Sequence, residues 1–178
     1  MTSADRRVVP GSGAILVSGD VLFGGDPADP RPLSDASTAL ERLHPIGQPV
    51  VLVGERIAGR MLKADPAERL AWVRTQLGSG DLPVVACDEE TPIPSGGGTD
   101  RAHAERWAEL RETWQAGWLI TDHAAAVGPA RRAGLTVIRI GPGDGSLAGS
   151  VERADPVVRD RLDAVRCVMT VDAFAARP

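Results

Sequence analysis

Gly13-Ala-Ile-Leu-Val-Ser-Gly-Asp-Val-Leu-Phe-Gly-Gly25 is the stretch on which the reading of the fold turns. Ala14 to Val17 is a short apolar run, and such a run bounded by turn signals predicts a buried strand. It gives way at once to Ser18-Gly19-Asp20 and then to Val-Leu-Phe-Gly-Gly. A buried strand that ends in a hydroxyl, a glycine and a carboxylate places chemistry at its carboxyl end, where open α/β sheets build their sites.

Outward from this stretch, apolar runs alternate with helical patterns, which predicts a parallel α/β sheet. Strands are expected near 14–18, 49–53, 82–87, 118–121, 135–140 and 168–171. Residues 23–35, rich in Gly, Asp and Pro, read as a loop. Ser34 to Leu43 reads as a helix capped by Ser34 or Asp35. Asp65-Pro66 opens another, with Pro at its first position, Glu68 in its first turn, a Leu70, Val73 and Leu77 stripe, and Gly78 at its end. Residues 88–100 are a second loop. Thr99 or Asp100 caps a helix to about Gln115, with Trp107, Leu110 and Trp114 on one face. Ala124 to Ala133 is a helix closed by Gly134. Asp155-Pro156 opens a last helix before the 168–171 strand.

The 178 residues suit one domain, 1–178, with 1–12 as a flexible leading segment. Hydrophobic residues make up 43%, and no apolar run approaches the roughly 18 residues of a membrane helix. With no signal-peptide pattern behind Arg6 and Arg7, the expected compartment is the cytoplasm and no membrane partner is expected. A net charge of −4 and no basic block argue against nucleic acid as a partner. Cys87 and Cys167 lack metal spacing and read as buried free thiols.

The opening stretch resembles motif one of the haloacid-dehalogenase superfamily: an aspartate, any residue, a second aspartate, then a Gly-Thr/Val-Leu pattern. Ser18 takes the place of the nucleophilic aspartate, and Asp20 that of the acid–base aspartate. Trp118-Leu-Ile-Thr-Asp-His-Ala-Ala-Ala-Val-Gly-Pro-Ala-Arg-Arg-Ala-Gly-Leu-Thr-Val-Ile-Arg-Ile140 resembles motif four and its helix. Asp122 matches the first acid there and Ala126 the second, with Thr121 for the glycine. Val168-Met-Thr-Val-Asp-Ala-Phe174 resembles the closing strand. Val53-Gly54 stands where motif two has a hydroxyl, and Lys63 or Arg101 is the candidate for the motif-three cation. The resemblance implies a Rossmannoid three-layer α/β sandwich with a mostly parallel sheet. The intervals 23–35 and 88–100 are too short for a cap domain.

The resemblance implies a site at adjacent strand ends. Asp20, Asp122 and Ser18 are its catalytic candidates, and Gly19, Gly54, Arg101 and His123 its substrate-binding candidates. Asp122 is the principal metal candidate. Phosphoaspartate chemistry needs a carboxylate nucleophile, and magnesium needs hard oxygen ligands; with Ser18 and Ala126 in these places, no cofactor is expected and any magnesium site is weakened. The bland reading of Asp20, Asp122 and His123 is that they cap turns and helix starts. Gly141-Pro-Gly-Asp-Gly-Ser-Leu-Ala-Gly149 and Pro94-Ser-Gly-Gly-Gly-Thr99 read as plain loops, lacking the lysine and helix of a phosphate loop.

Three functions are open to this sequence. It is a non-phosphatase enzyme using Asp20 in acid–base chemistry on a small molecule, a pseudoenzyme that binds or regulates, or a magnesium-dependent phosphohydrolase with substituted motifs. An uncapped site is expected to be covered by a second copy or a protein partner. Generic phosphate esters should be turned over negligibly with added magnesium. Robust release of phosphate, abolished by Asp20→Asn, would overturn this.

Overall fold

In the computed structural model the described residues are 13–26, 29–43, 48–53, 66–78, 84–88, 100–141 and 157–175. The leading residues 1–12, Gly54, Lys63 and most of the 88–100 and 141–149 loops lie outside them.

The strands are β1 (Ile15–Ser18), β2 (Phe23–Asp26), β3 (Asp29–Pro32), β4 (Val50–Val53), β5 (Val84–Asp88), β6 (Trp118–Thr121), β7 (Thr136–Ile140) and β8 (Val157–Val158). The helices are α1 (Gly19–Leu22), α2 (Ala36–Leu43), α3 (Pro66–Gln76), α4 (Asp100–Trp114), α5 (Ala124–Arg132) and α6 (Arg161–Ala175). Six strands form one sheet in the order β5-β4-β1-β6-β7-β8. Every pairing in it is parallel. β1 is central, with Ile15 opposite both Val50 and Trp118.

The pleat sorts the strand residues into two cores. Ile15, Val17, Val50, Leu52 and Ile120 face α2, α3 and α6 through Leu40, Val73 and Val165. Leu16, Val51, Val53, Leu119 and Val137 face α4 and α5 through Trp107, Leu110, Ala126 and Ala130. Both faces of the central strands are therefore buried, which is why they read as unbroken apolar runs rather than alternating ones. The three layers and the parallel sheet are those the sequence led us to expect. Gly13 leads into β1 at a close approach, since a Cβ there would lie 2.7 Å from the carbonyl oxygen of Gln115. Gly134 takes the left-handed conformation, φ 85°, that ends α5.

Four expectations fail. Residues 23–35 are not simply a loop: β2 and β3 form an antiparallel hairpin, Phe23 opposite Pro32. Pro30 and Pro32 concealed it, but a two-stranded ribbon is all edge, where proline is tolerated. Residues 168–171 are not a strand but lie inside α6. The β-branched run there suggested extended backbone, yet Ala164, Val165 and Val168 recur at helical spacing and are buried together in the core. α6 starts at Arg161 rather than at Asp155-Pro156. Val157 and Val158 extend the sheet first, and Asp160 Oδ1 then accepts the Asp163 N–H at 2.9 Å, an N-cap bond. Cys167 is a free thiol, half-buried rather than buried. Among the described residues no helix is long and apolar enough to cross a membrane.

Trp107 is completely buried, and among the described residues its indole N–H meets no acceptor. Its contribution is therefore packing alone. Trp107→Ala should cost about 3–5 kcal/mol in urea unfolding, and Trp107→Phe less than half of that. Equal losses in the two variants would show that the N–H matters.

Candidate functional site at the carboxyl edge of the sheet

β1, β4 and β6 end side by side. Ser18 closes β1 opposite Val53 of β4, and Thr121 closes β6. Ser18 and Thr121 are both fully buried. The Ser18 hydroxyl donates to Thr121 Oγ1 at 2.9 Å. The same Thr121 oxygen accepts the His123 backbone N–H at 3.1 Å. Ser18 is also the N-cap residue of α1, but its side chain makes no capping bond because the hydroxyl is turned to Thr121. This hydroxyl thus bridges two strand ends, its bond going to a second hydroxyl rather than to a base. Thr121, which the sequence offered only as a replacement for glycine, is what fixes the turn leading to His123.

Two residues beyond Ser18, α1 presents Asp20. Across the edge, the chain leaves β6 through Asp122 to His123, the N-cap residue of α5. Asp20 Oδ2 and His123 Nε2 are 2.6 Å apart. Asp122 Oδ1 lies 3.4 Å from the same nitrogen. The Asp20 side chain is 11% exposed, that of His123 31% and that of Asp122 40%. One ring nitrogen therefore stands between two carboxylates, sheltered on the Asp20 side and open to water on the Asp122 side. A 2.6 Å contact requires a shared proton: His123 carries it on Nε2, as a neutral ring or an imidazolium, and donates it to Asp20. His123 does start a helix, as the bland reading had it, but its side chain makes no cap bond and goes to Asp20 instead. Sequence spacing could not reveal this pair, whose members are 103 residues apart.

The remaining candidates are placed differently. Gly19 is buried as the first residue of α1, and Gly54 lies outside the described residues. Arg101 is on the first turn of α4, highly exposed, with Nε 2.8 Å from Glu105 one turn along. No contact among the described residues joins it to Asp20, Asp122 or His123.

The ligand atoms of Asp20, Asp122 and His123 all lie within 4.8 Å of one another. Magnesium demands near-octahedral oxygen coordination. These residues offer a ring nitrogen between the acids, a serine hydroxyl already bonded to Thr121 and a methyl group at Ala126. Among the described residues this set does not fit magnesium.

No protein-family model matches the chain, and no curated protein matches it. Solved structures do. A D,D-heptose 1,7-bisphosphate phosphatase from B. bronchiseptica, solved with magnesium and phosphate, superimposes with a TM-score of 0.62 at 16% identity, over 89% of this chain and 99% of that one. This is the haloacid-dehalogenase fold. The D,D-heptose 1,7-bisphosphate phosphatase of Burkholderia thailandensis gives 0.57 at 13% identity over 89% and 99%. The L-2-haloacid dehalogenase of Xanthobacter autotrophicus, with chloropropionic acid covalently bound, gives 0.52 at 15% identity over 80% of this chain and 63% of that one. The haloacid-dehalogenase fold expected from the strand ends is thus present, at identities that speak to the fold alone.

Adding magnesium should leave the thermal unfolding midpoint of the protein where it is, since a ligand stabilises only the state that binds it. A midpoint that climbs with magnesium concentration, and ceases to do so in Asp122→Asn, would restore the metal site.

Proposed function

We propose that this protein is an enzyme of the haloacid-dehalogenase fold that performs acid–base chemistry on a small molecule through Asp20 and His123, without an aspartyl intermediate. The observation that carries the reading is the 2.6 Å contact between Asp20 Oδ2 and His123 Nε2 at the carboxyl edge of the central strands. A carboxylate held against one ring nitrogen selects the tautomer with its proton there, which makes Nδ1 the basic nitrogen of the neutral ring, the one that exchanges a proton with a bound molecule. The reverse transfer uses the imidazolium, whose charge Asp20 stabilises. Asp122 Oδ1, half-exposed, lies 3.4 Å from the same ring nitrogen.

Two features speak against phosphoaspartate turnover. Ser18 cannot form an aspartyl phosphate, and its hydroxyl is buried in a bond to Thr121. Ser18→Asp would bring a charge into a fully buried position without the second acid that Ala126 lacks, at a desolvation cost of several kcal/mol by general experience of buried ions. Nor should it create phosphatase activity. The reading includes a second copy of the chain or a protein partner over the open edge, which light scattering and affinity capture test.

Asp20→Asn is nearly isosteric. It keeps an oxygen facing His123 but no longer fixes the tautomer. Screened against a panel of small-molecule substrates, the wild type should show an activity that Asp20→Asn lowers by about 10²–10⁴-fold with an unchanged unfolding midpoint. Full activity in a folded Asp20→Asn variant would refute the acid–base assignment. Binding of a ligand without turnover, unaffected by Asp20→Asn, would favour the pseudoenzyme.

A further inference from the structure

Asp20 stands on a helix too short to hold itself. α1 has four residues, and the bond that closes it runs from the Phe23 N–H to the Gly19 carbonyl. The carbonyls that follow lie beyond the reach of the helix and need donors from elsewhere. Leu22 O receives the Leu33 N–H at 2.8 Å. Val21 O, adjacent to Asp20 in the chain, receives Arg161 Nε. Arg161 opens α6, 140 residues further along. Its Nη1 donates to Asp35 Oδ1, one residue before α2, at 2.9 Å.

The clamp is well founded at both ends. The Arg161 and Asp35 side chains are 21% and 28% exposed, and charge-assisted bonds that are partly sheltered from water are stronger than neutral ones. Apolar side chains including Val17, Val21, Leu40 and Val165 line the hollow beside the guanidinium. Behind it, α6 is anchored by Ala164, Val165 and Val168 in the core. A planar guanidinium can serve a carbonyl and a carboxylate on separate elements at once, which a lysine ammonium on its flexible stem does less well.

We propose that Arg161 is the positioning residue of Asp20. By holding the Val21 carbonyl it sets the rotation of the α1 turn, and with it the distance from the Asp20 carboxylate to His123 Nε2. The inference rests on the reading of that pair as the working site, but its test measures geometry rather than turnover. The probe is the nitrogen-bound Nε2 proton of His123, followed by NMR in the intact protein and assigned by its loss in His123→Gln. The bond to Asp20 slows its exchange with water.

In folded Arg161→Met the proton should exchange at least about tenfold faster, approaching Asp20→Asn, because an ungripped turn opens locally. Asp35→Asn breaks the ion pair but leaves the Val21 bond, and should change the rate by less than about twofold. Arg161→Lys should fall between the wild type and Arg161→Met, and it replaces the methionine variant if that one does not fold. An unchanged exchange rate in either folded Arg161 variant overturns the proposal. So does an Asp35→Asn rate as fast as that of Arg161→Met, which would make the clamp a plain staple between helices. Loss of activity in Asp20→Asn is read separately, so failure of the positioning role leaves the acid–base reading standing, and the converse holds too.

Discussion

β1 is hydrogen-bonded on both sides, to β4 along Ile15–Ser18 and to β6 along Ile15–Val17. Covered also by helices on both faces, this four-residue strand has no freedom of register, since a slip by one residue would exchange the two cores. That constraint delivers Ser18 beside Thr121 and Asp20 beside His123. The site is a by-product of where the strands stop. β1 and β6 end at the same edge, and polar groups meet where their apolar pattern ends.

The residue that ends β1 sets the electrostatics of this edge. A charge at Ser18, which is fully buried, would have to be neutralised by a cation or stabilised by several donors. A hydroxyl needs one acceptor, and Thr121 provides it. Asp20 and Asp122 lie beyond that buried layer, with the His123 imidazole within reach of both.

The parts of the fold legible in the sequence were those encoded locally. The apolar runs at 14–18, 49–53 and 118–121 became strands because burial on both faces leaves no polar residue to interrupt them. α3 and α5 announced themselves through Pro66 and through the glycines that follow them. The 168–171 run misled because three β-branched residues outweighed a helical stripe beginning further back, at Ala164. The hairpin at 23–32 was hidden because its prolines count against a strand only in the middle of a sheet. Of the candidate site, the resemblance to the haloacid-dehalogenase motifs made the strand-end positions of Asp20, Asp122 and Ser18 legible. The bond from Asp20 to His123 was not, because it depends on β1 and β6 being neighbours, and nothing within either segment states that.

This adjacency bears on how the protein comes to fold. β1 leaves the ribosome about a hundred residues ahead of β6, so its inner edge has no strand to bond until most of the sheet has been made. Parallel pairing across such separations closes large loops before it yields contacts, and chains built this way fold slowly. Meanwhile Ile15, Leu16 and Val17 present an apolar edge, the kind of surface that draws chaperones or other chains. The centre of the native sheet is thus the most vulnerable element of the nascent one.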